Sequence, residues 1–227
     1  MRRRIAIALT LLLMFTATST APASASSDQA EATPVDPRTT PSPATDQESS
    51  SVPPNLQTAS DFCLLQGGIL VERFPFVGTN TSNPVQLDSS RWFCEFTGGQ
   101  GADPPTSRIS IGLSTLFAED PTLAALAYLA KRPVPEVEDS SKLAVTYCAD
   151  LGGSSQFGPD FETGGGWASD INDPAATSIG ICVFPDGSAI DDWGLAYHAQ
   201  GVIRGTDLTT LFQFDPEEAP ENIFPND

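Results

Sequence analysis

The sequence predicts an α+β protein built from two related small modules, each stapled by a disulfide. Two observations favour this class. An aromatic residue, a cysteine and then Gly-Gly occur together twice, around Cys63 and again around Cys148, 85 positions later. In each copy a second cysteine follows in a strand-like stretch that ends at a glycine-bearing turn. We expect each module to have a short cysteine-bearing helix, a β-hairpin or small antiparallel sheet, and a further helix.

The first 25 residues have the three regions of a cleavable signal peptide. Arginines at 2–4 form a basic start, residues 5–15 form an apolar run, and residues 23–25 read Ala-Ser-Ala, the small residues that signal peptidase requires. A membrane-spanning helix needs about 20 apolar residues, so this run is too short for an anchor. We therefore expect cleavage before Ser26 and a secreted or cell-wall-associated protein.

Two flanking segments are predicted to be disordered. Residues 26–57 form a tether rich in Ser, Thr and Pro, and no aromatic residue occurs between Phe15 and Phe62 to seed a core. Residues 215–227 form an acidic tail with three prolines. The remainder divides into a degenerate first module at 58–132, a linker at 133–139 and a second module at 140–214.

The charge of the chain restricts its partners. Loss of the three arginines at 2–4 with the signal peptide lowers the formal net charge from −18 to −21. Phosphate backbones and anionic lipids repel such a protein. We therefore expect no nucleic-acid binding, no membrane insertion after signal cleavage, and a monomer that meets an unknown extracellular ligand or protein. Solubility is the simplest explanation of the acidity, and attraction to basic partners is the alternative.

The helix that opens the second module is defined by its apolar spacing. Ala144, Tyr147, Cys148 and Leu151 stand at i, i+3, i+4 and i+7, which is one face of a helix. Gly152 suits the left-handed residue that ends a helix. By analogy, each copy begins with a short helix whose buried face carries a cysteine.

The four cysteines are predicted to form two disulfides within the modules. Four cysteines allow three pairings, and the duplication is our reason for choosing the local one. Export makes oxidation expected. The rival reading is a metal site, which needs short spacings such as Cys-x-x-Cys, and the sequence has none. The predicted pairs are Cys63 with Cys94 and Cys148 with Cys182.

The segment between the modules predicts one strand and one helix. Residues 109–117 have the composition of a strand. Asp120 and Pro121 suit the cap and first turn of a helix, and Pro133 would end it. In the second module, Asp191 or Asp192 is expected to cap a helix that starts near Trp193.

The second copy, 144–201, contains the motifs Tyr147-Cys148, Gly152-Gly153, Gly180-Ile181-Cys182-Val183-Phe184-Pro185-Asp186-Gly187 and Asp191-Asp192-Trp193. This pattern resembles that of a known bacterial family, the domain of unknown function DUF333, whose members are often labelled hemolysins. The resemblance implies a fold and no catalytic residue, because none is established for the family. Ile190 stands where the family has a further cysteine, no cysteine follows Cys182, and the loop 154–178 is additional.

The sequence offers few groups for catalysis or metal binding. A Ser-His-Asp triad would have to use the single histidine, His198, and no Gly-x-Ser-x-Gly elbow is present. The acidic loop 160–173 lacks the spacing of an EF-hand, and residues 164–166 lack the lysine of a phosphate loop. We expect no cofactor, no metal and no catalytic residue, although a carboxylate pair remains conceivable.

These observations favour a non-enzymatic binding or structural protein. One alternative is a carboxylate-dependent extracellular hydrolase, which would need a cleft with two facing carboxylates. Another is an inhibitor of secreted proteases, which would present a rigid loop near a disulfide. Lysis of membranes is disfavoured, because no long apolar or amphipathic element follows the signal peptide. The candidate ligand contacts are Trp167, Trp193, Tyr197 and Asp186.

Overall fold

A computed structural model describes residues 52–87, 89–98, 101, 106–155, 163–215 and 224 of the chain. The predicted signal peptide, the tether up to residue 51 and nearly all of the acidic tail lie outside these residues. The last part of the predicted tether is helical, because Pro54–Leu56 form a 3-10 turn that leads directly into the first α-helix. Leu56 packs against the main core, so the folded unit extends at least to this turn.

The described residues contain both helices and antiparallel strands. The helices are α1 (Gln57–Leu65), α2 (Leu113–Leu116), α3 (Leu123–Ala130), α4 (Leu143–Asp150), α5 (Pro174–Thr177) and α6 (Asp192–Ala199). The strands are β1 (Ile69–Val77), β2 (Val85–Gln86), β3 (Arg91–Thr97), β4 (Arg108–Gly112), β5 (Ser154–Ser155), β6 (Gly165–Ala168), β7 (Ile181–Val183) and β8 (Ala189–Asp191).

The strands form one eight-stranded sheet in the order β2-β1-β3-β4-β8-β7-β5, with β6 paired to β1. Every recorded strand pair is antiparallel. The predicted α+β class is therefore confirmed. At the centre, β4 pairs with β8 through Ile111 and Ile190. Outward from this pair the order is β4-β3-β1 on one side and β8-β7-β5 on the other.

The two faces of the sheet bury different cores. The main core contains Cys94 and Phe96 of β3, and helices α1, α3, α4 and α6 contribute residues to it. The smaller core contains Phe93 of the same strand together with Trp167 and Ile181. Successive side chains of a strand point to opposite faces. The alternation along β3 therefore explains why its neighbouring residues belong to different cores.

Both cysteine-bearing helices end in the same way. Gly67 and Gly152 have φ angles of 81° and 78°, the left-handed conformation that glycine adopts without a steric penalty. In each case the next residue closes the helix, since the Gly68 N–H donates to the Cys63 carbonyl at 3.0 Å. The Gly153 N–H likewise donates to the Cys148 carbonyl at 2.9 Å. The prediction that Gly152 ends its helix is therefore confirmed.

Both predicted disulfides are present, and each contacts a glycine. A Cβ atom added to Gly68 would collide with the Sγ atom of Cys94, and one added to Gly153 would collide with that of Cys182. The second glycine of each Gly-Gly pair therefore leaves space for the sulfur bridge, whereas the first permits the positive φ. The bridges are Cys63–Cys94 and Cys148–Cys182.

The segment after β3 differs from the prediction in two places. The strand predicted over 109–117 corresponds to β4, which ends at Gly112. The chain then continues as the short helix α2 instead of remaining extended to residue 117. Thr115 of that helix accepts a hydrogen bond from the Ala189 N–H at 3.0 Å, which favours the helical turn at this point. The cap of α3 is Thr122, whose Oγ1 accepts from the Ala125 N–H, so the helix starts later than the Asp120 cap would place it.

Candidate functional site

A groove of about 350 Å³ opens at the end of the sheet where β3 begins. The chain before α1, the strands β1 and β3, the start of α2 and the turn between β7 and β8 all contribute to its walls. Binding sites for small molecules fall in this range of volume. Strands from both sides of the central β4–β8 pair therefore meet at one concave surface.

The polar side chains of the groove are held by hydrogen bonds. Ser90 Oγ donates to Glu72 Oε1 at 2.6 Å, and Arg91 Nη1 donates to the Gly187 carbonyl at 3.0 Å. The Arg91 guanidinium also lies 5.5 Å from the centroid of the Trp167 ring. The half-buried Trp92 also lines the groove. Binding to side chains fixed in this way loses less conformational entropy than binding to mobile ones.

A second polar cluster lies on the smaller-core face of the sheet and is buried. Arg73 is 1% exposed, and its Nη2 donates to Glu95 Oε2 at 2.5 Å. Ser110 Oγ donates to the same carboxylate oxygen at 2.9 Å. Arg73 Nη1 donates to the carbonyls of Trp167 and Thr177, so the guanidinium ties β6 and α5 to the sheet. Burial lowers the pKa of Arg73, and the Glu95 charge opposes that shift.

The adjacent carboxylates Asp191 and Asp192 are also buried, at 7% and 2% exposure. Asp191 Oδ1 accepts from the Gly194 N–H at 2.7 Å and so caps α6, as predicted for one member of this pair. Asp192 Oδ2 accepts from Ser155 Oγ at 2.6 Å. Burial, followed by the charge of Asp192, raises the pKa of Asp191 to about 7, and burial also raises the pKa of Asp192.

The single histidine packs inside the protein. His198 is 2% exposed, and its ring stacks on Tyr128 with a centroid separation of 3.6 Å. Burial and the charge of Lys131 lower the pKa of His198 to about 4, so the imidazole is neutral near pH 7. Tyr128 Oη in turn accepts from the Leu208 N–H at 3.2 Å. The histidine therefore belongs to a packed contact between α6 and α3.

The raised pKa of Asp191 gives a testable dependence of stability on pH. The folded carboxyl keeps its proton up to about pH 7, whereas an unfolded aspartate loses it near pH 4, so this stabilisation is lost as the pH rises. His198 acts in the opposite sense, because only the unfolded imidazole is protonated between about pH 4 and 6.5. Asp191→Asn, which keeps the helix cap, should therefore make the free energy of unfolding rise more steeply over pH 4–6.5.

Urea denaturation at several pH values measures this slope. We expect Asp191→Asn to change the slope of the free energy of unfolding against pH by at most about 1.4 kcal/mol per pH unit. His198→Phe is the opposing control, and it should make the slope more negative than in the wild-type protein. If the free energy of unfolding has the same pH dependence in the wild-type protein and in Asp191→Asn, the raised pKa of Asp191 is contradicted.

The structure separates the four predicted ligand contacts. Trp167 lies in the smaller core, 2% exposed, with its ring centroid 5.9 Å from that of Phe93. Trp193 and Tyr197 are half-buried neighbours on α6 with centroids 5.5 Å apart. Asp186 accepts from the Leu123 N–H at 2.7 Å and thereby binds the start of α3. Contact of these residues with a ligand remains a prediction.

Sequence reasoning missed Trp92 as a site residue. The residue was identified only as part of a strand that carries Cys94, and the two share a face of β3 because they are two positions apart. The signal that could have found it is its place near the start of the strand, directly after Arg91. The groove also needs Gly187, which is distant in sequence, and no local pattern reveals that contact.

Within the described ranges, no group of three or more His, Cys, Asp or Glu side chains could hold a metal ion. In the same residues, no helix is both long and apolar enough to cross a membrane. The described residues form an α+β fold with two disulfides, and such bridges are typical of oxidising compartments. No family model matches the chain, and neither a curated protein nor a solved structure shows significant similarity to it.

Proposed function

We propose that this chain is a secreted or cell-wall-associated, non-enzymatic binding protein whose groove takes a saccharide. The observation that carries the proposal is that Trp92, Glu72 and Arg91 all line the groove. An indole ring can cover the apolar face of a sugar ring. A carboxylate accepts hydrogen bonds from hydroxyl groups and a guanidinium donates them, so the two together match a polyhydroxylated ligand.

The extracellular location is supported by two separate features. Disulfides form and persist in oxidising compartments, and the structure contains two of them. The sequence at 1–25 has the regions of a signal peptide. We include cleavage before Ser26 and the tether at 26–51 in the proposal.

We further propose that the two halves of the sheet arose by duplication and that the second half is a DUF333 domain. In support, Cys94 pairs in register with Ile111 on β4, and Cys182 pairs in register with Ile190 on β8. The two isoleucines then pair with each other at the centre. Each half also has the same order of cysteine-bearing helix, Gly-Gly turn and strand.

The non-enzymatic part of the proposal is supported by the burial of the titratable clusters. The carboxylates of Asp191 and Asp192 accept hydrogen bonds from Gly194 and Ser155, and Glu95 is paired with Arg73. A hydrolase remains the alternative, because a carboxyl with a pKa of about 7 is suited to general-acid chemistry. Loss of glycan hydrolysis in Asp191→Asn would favour that alternative. Inhibition of secreted proteases is a third candidate function.

Trp92→Ala tests the proposed groove. With peptidoglycan-derived oligosaccharides as probes, we expect the dissociation constant to rise by at least about tenfold, because the variant loses the apolar wall of the site. Isothermal titration calorimetry measures it, and thermal denaturation checks that the variant is folded. Phe62→Leu, which replaces a half-buried aromatic residue outside the groove, is the matched control and should bind as the wild-type protein does. Equal binding by wild type and Trp92→Ala would contradict the proposal, and selective binding of the peptide stems alone would assign the groove to peptides.

A further inference from the structure

The Pro185-Asp186-Gly187 motif forms the turn between β7 and β8. The Phe184 N–H donates to the Ser188 carbonyl, and the Gly187 N–H donates to the Phe184 carbonyl, both at 2.9 Å. Gly187 has a φ angle of 82°, which glycine adopts without a steric penalty. Backbone hydrogen bonds therefore close the turn without help from the Asp186 side chain.

The Asp186 side chain joins this turn to the start of α3. Its Oδ2 atom accepts from the Leu123 N–H at 2.7 Å, and its Oδ1 atom accepts from the Ser188 hydroxyl at 2.6 Å. Ser188 Oγ in turn accepts from the Ala124 N–H at 2.9 Å. The first N–H groups of a helix have no partner within the helix, so the turn supplies acceptors for two of them. The turn of the predicted second module is thereby fixed to a helix of the first.

Both oxygens of the Asp186 carboxylate accept hydrogen bonds from the protein itself. Burial acts to raise the pKa of Asp186, but the hydrogen bonds from Ser188 and Leu123 outweigh it and hold the pKa below its ordinary value. The group is therefore charged at neutral pH, and a charged acceptor makes stronger hydrogen bonds than a neutral one. With both oxygens bound in this way, Asp186 is better placed to hold the turn than to contact a ligand.

The same turn forms part of the groove and holds its cation. Gly187 and Ala189 line the groove, and the Gly187 carbonyl accepts from Arg91 Nη1 at 3.0 Å. Arg91 belongs to β3, across the central β4–β8 pair, so this bond depends on where the turn lies relative to β3. Thr115 accepts from the Ala189 N–H at 3.0 Å and anchors the end of the turn, whereas Asp186 anchors its tip. The placement of the Arg91 guanidinium therefore depends on how the tip is anchored.

We propose that Asp186 is a positioning residue of the groove. It anchors the tip of the β7–β8 turn to α3, and the Gly187 carbonyl at that tip fixes the Arg91 guanidinium in the groove. The consequence for saccharide affinity rests on the proposed function, whereas the order of the Arg91 side chain is a property of the protein without ligand. The second module thus completes a site whose Trp92 and Arg91 both belong to β3 in the first.

Asp186→Ala in the full chain tests this role, and Thr122→Ala is the matched control. Thr122 Oγ1 caps the same helix by accepting from the Ala125 N–H, and it does not line the groove. Both variants should lower the midpoint of thermal unfolding, because each removes an acceptor from the start of α3. With the peptidoglycan-derived oligosaccharides as probes, calorimetry should give a dissociation constant at least about fivefold higher in Asp186→Ala and within about twofold of the wild-type value in Thr122→Ala.

Two further measurements separate positioning from ordinary stabilisation. In heteronuclear NMR of the ligand-free protein, the Arg91 Nη signals are assigned by their absence from Arg91→Met. They should become those of a freely rotating guanidinium in Asp186→Ala and stay unchanged in Thr122→Ala. In the double variant Arg91→Met, Asp186→Ala, the dissociation constant should exceed that of Arg91→Met by less than about twofold, because both residues act on the ligand through one group.

The results distinguish this role from the saccharide proposal. Unchanged Arg91 signals in Asp186→Ala would overturn the positioning role, whether or not the groove binds saccharide. An equal loss of affinity from Asp186→Ala in the wild-type and Arg91→Met proteins would also overturn it, because Asp186 would then act independently of Arg91. If the wild-type protein binds no oligosaccharide while the Arg91 signals change as expected, the proposed function fails and the positioning of Arg91 by Asp186 is supported.

Discussion

Arg73→Met is expected to lower the free energy of unfolding by about 3–5 kcal/mol. The substitution leaves the Glu95 carboxylate 8% exposed with the Ser110 hydroxyl as its remaining recorded partner. A buried charge without its counter-ion is strongly destabilising. The variant also loses the two hydrogen bonds that join β6 and α5 to β1, so protease sensitivity of residues 163–178 should increase together with the loss of stability.

Urea denaturation of three variants separates the ion pair from ordinary packing. Arg108→Met, which replaces an exposed arginine on the neighbouring strand, should change the free energy of unfolding by no more than about 0.5 kcal/mol. The double variant Arg73→Met, Glu95→Leu should be more stable than Arg73→Met alone, because it has no buried charge left without a partner. A loss below about 1 kcal/mol in Arg73→Met would contradict the predicted contribution of the buried ion pair.

Removal of either disulfide is the second large effect. The bridges join residues separated by 31 and 34 positions, and the chain-entropy relation gives a stabilisation of about 4 kcal/mol for loops of this length. We expect Cys63→Ala, Cys94→Ala and Cys148→Ala, Cys182→Ala to be destabilised to a similar extent. Thermal denaturation of the two double variants measures this, with single-bridge formation checked by thiol titration.

Comparing the stability lost by the two double variants tests whether the two disulfides contribute equally. Both bridges lie in the main core and are fully buried, so differences in solvent exposure cannot separate their contributions. If one variant loses several kilocalories per mole and the other almost none, the two disulfides contribute unequally to the free energy of unfolding. Variants that both remain within about 1 kcal/mol of the wild-type protein would contradict a stabilising role for the bridges.

The local features of the fold were predictable from the sequence where a short pattern has one physical meaning. The spacing of Ala144, Tyr147 and Cys148 predicted α4, and Gly152 predicted its end. The pairing of consecutive cysteines followed from the repeated pattern. In each case the residues that carry the signal are close together in the chain, so the contact they predict forms within one element or one loop.

The cap of α3 shows where local reasoning fails. Asp120 and Pro121 suit a helix start, but Thr122 takes the cap and Asp186 binds the Leu123 N–H from a turn 63 positions away. The short helix α2 has the same kind of cause, since Thr115 bonds to the distant Ala189. Tertiary hydrogen bonds decide both elements, and a sequence window does not contain them.

The candidate site was not predictable for a related reason. Trp167 is one of the predicted ligand contacts, whereas the structure packs it against Phe93. The groove instead uses Trp92, and it exists only because Gly187 is brought beside Arg91. A concave surface depends on how separate strands meet, which composition and spacing do not specify.

The order in which the cysteines pair has a consequence for how the protein acquires its bridges. The first cysteine along the chain joins the second, and the third joins the fourth. An oxidant that acts on thiols in the order of their emergence into an oxidising compartment therefore produces the native connectivity directly. If the chain enters such a compartment N-terminus first, the bridge Cys63–Cys94 can close before Cys148 and Cys182 arrive.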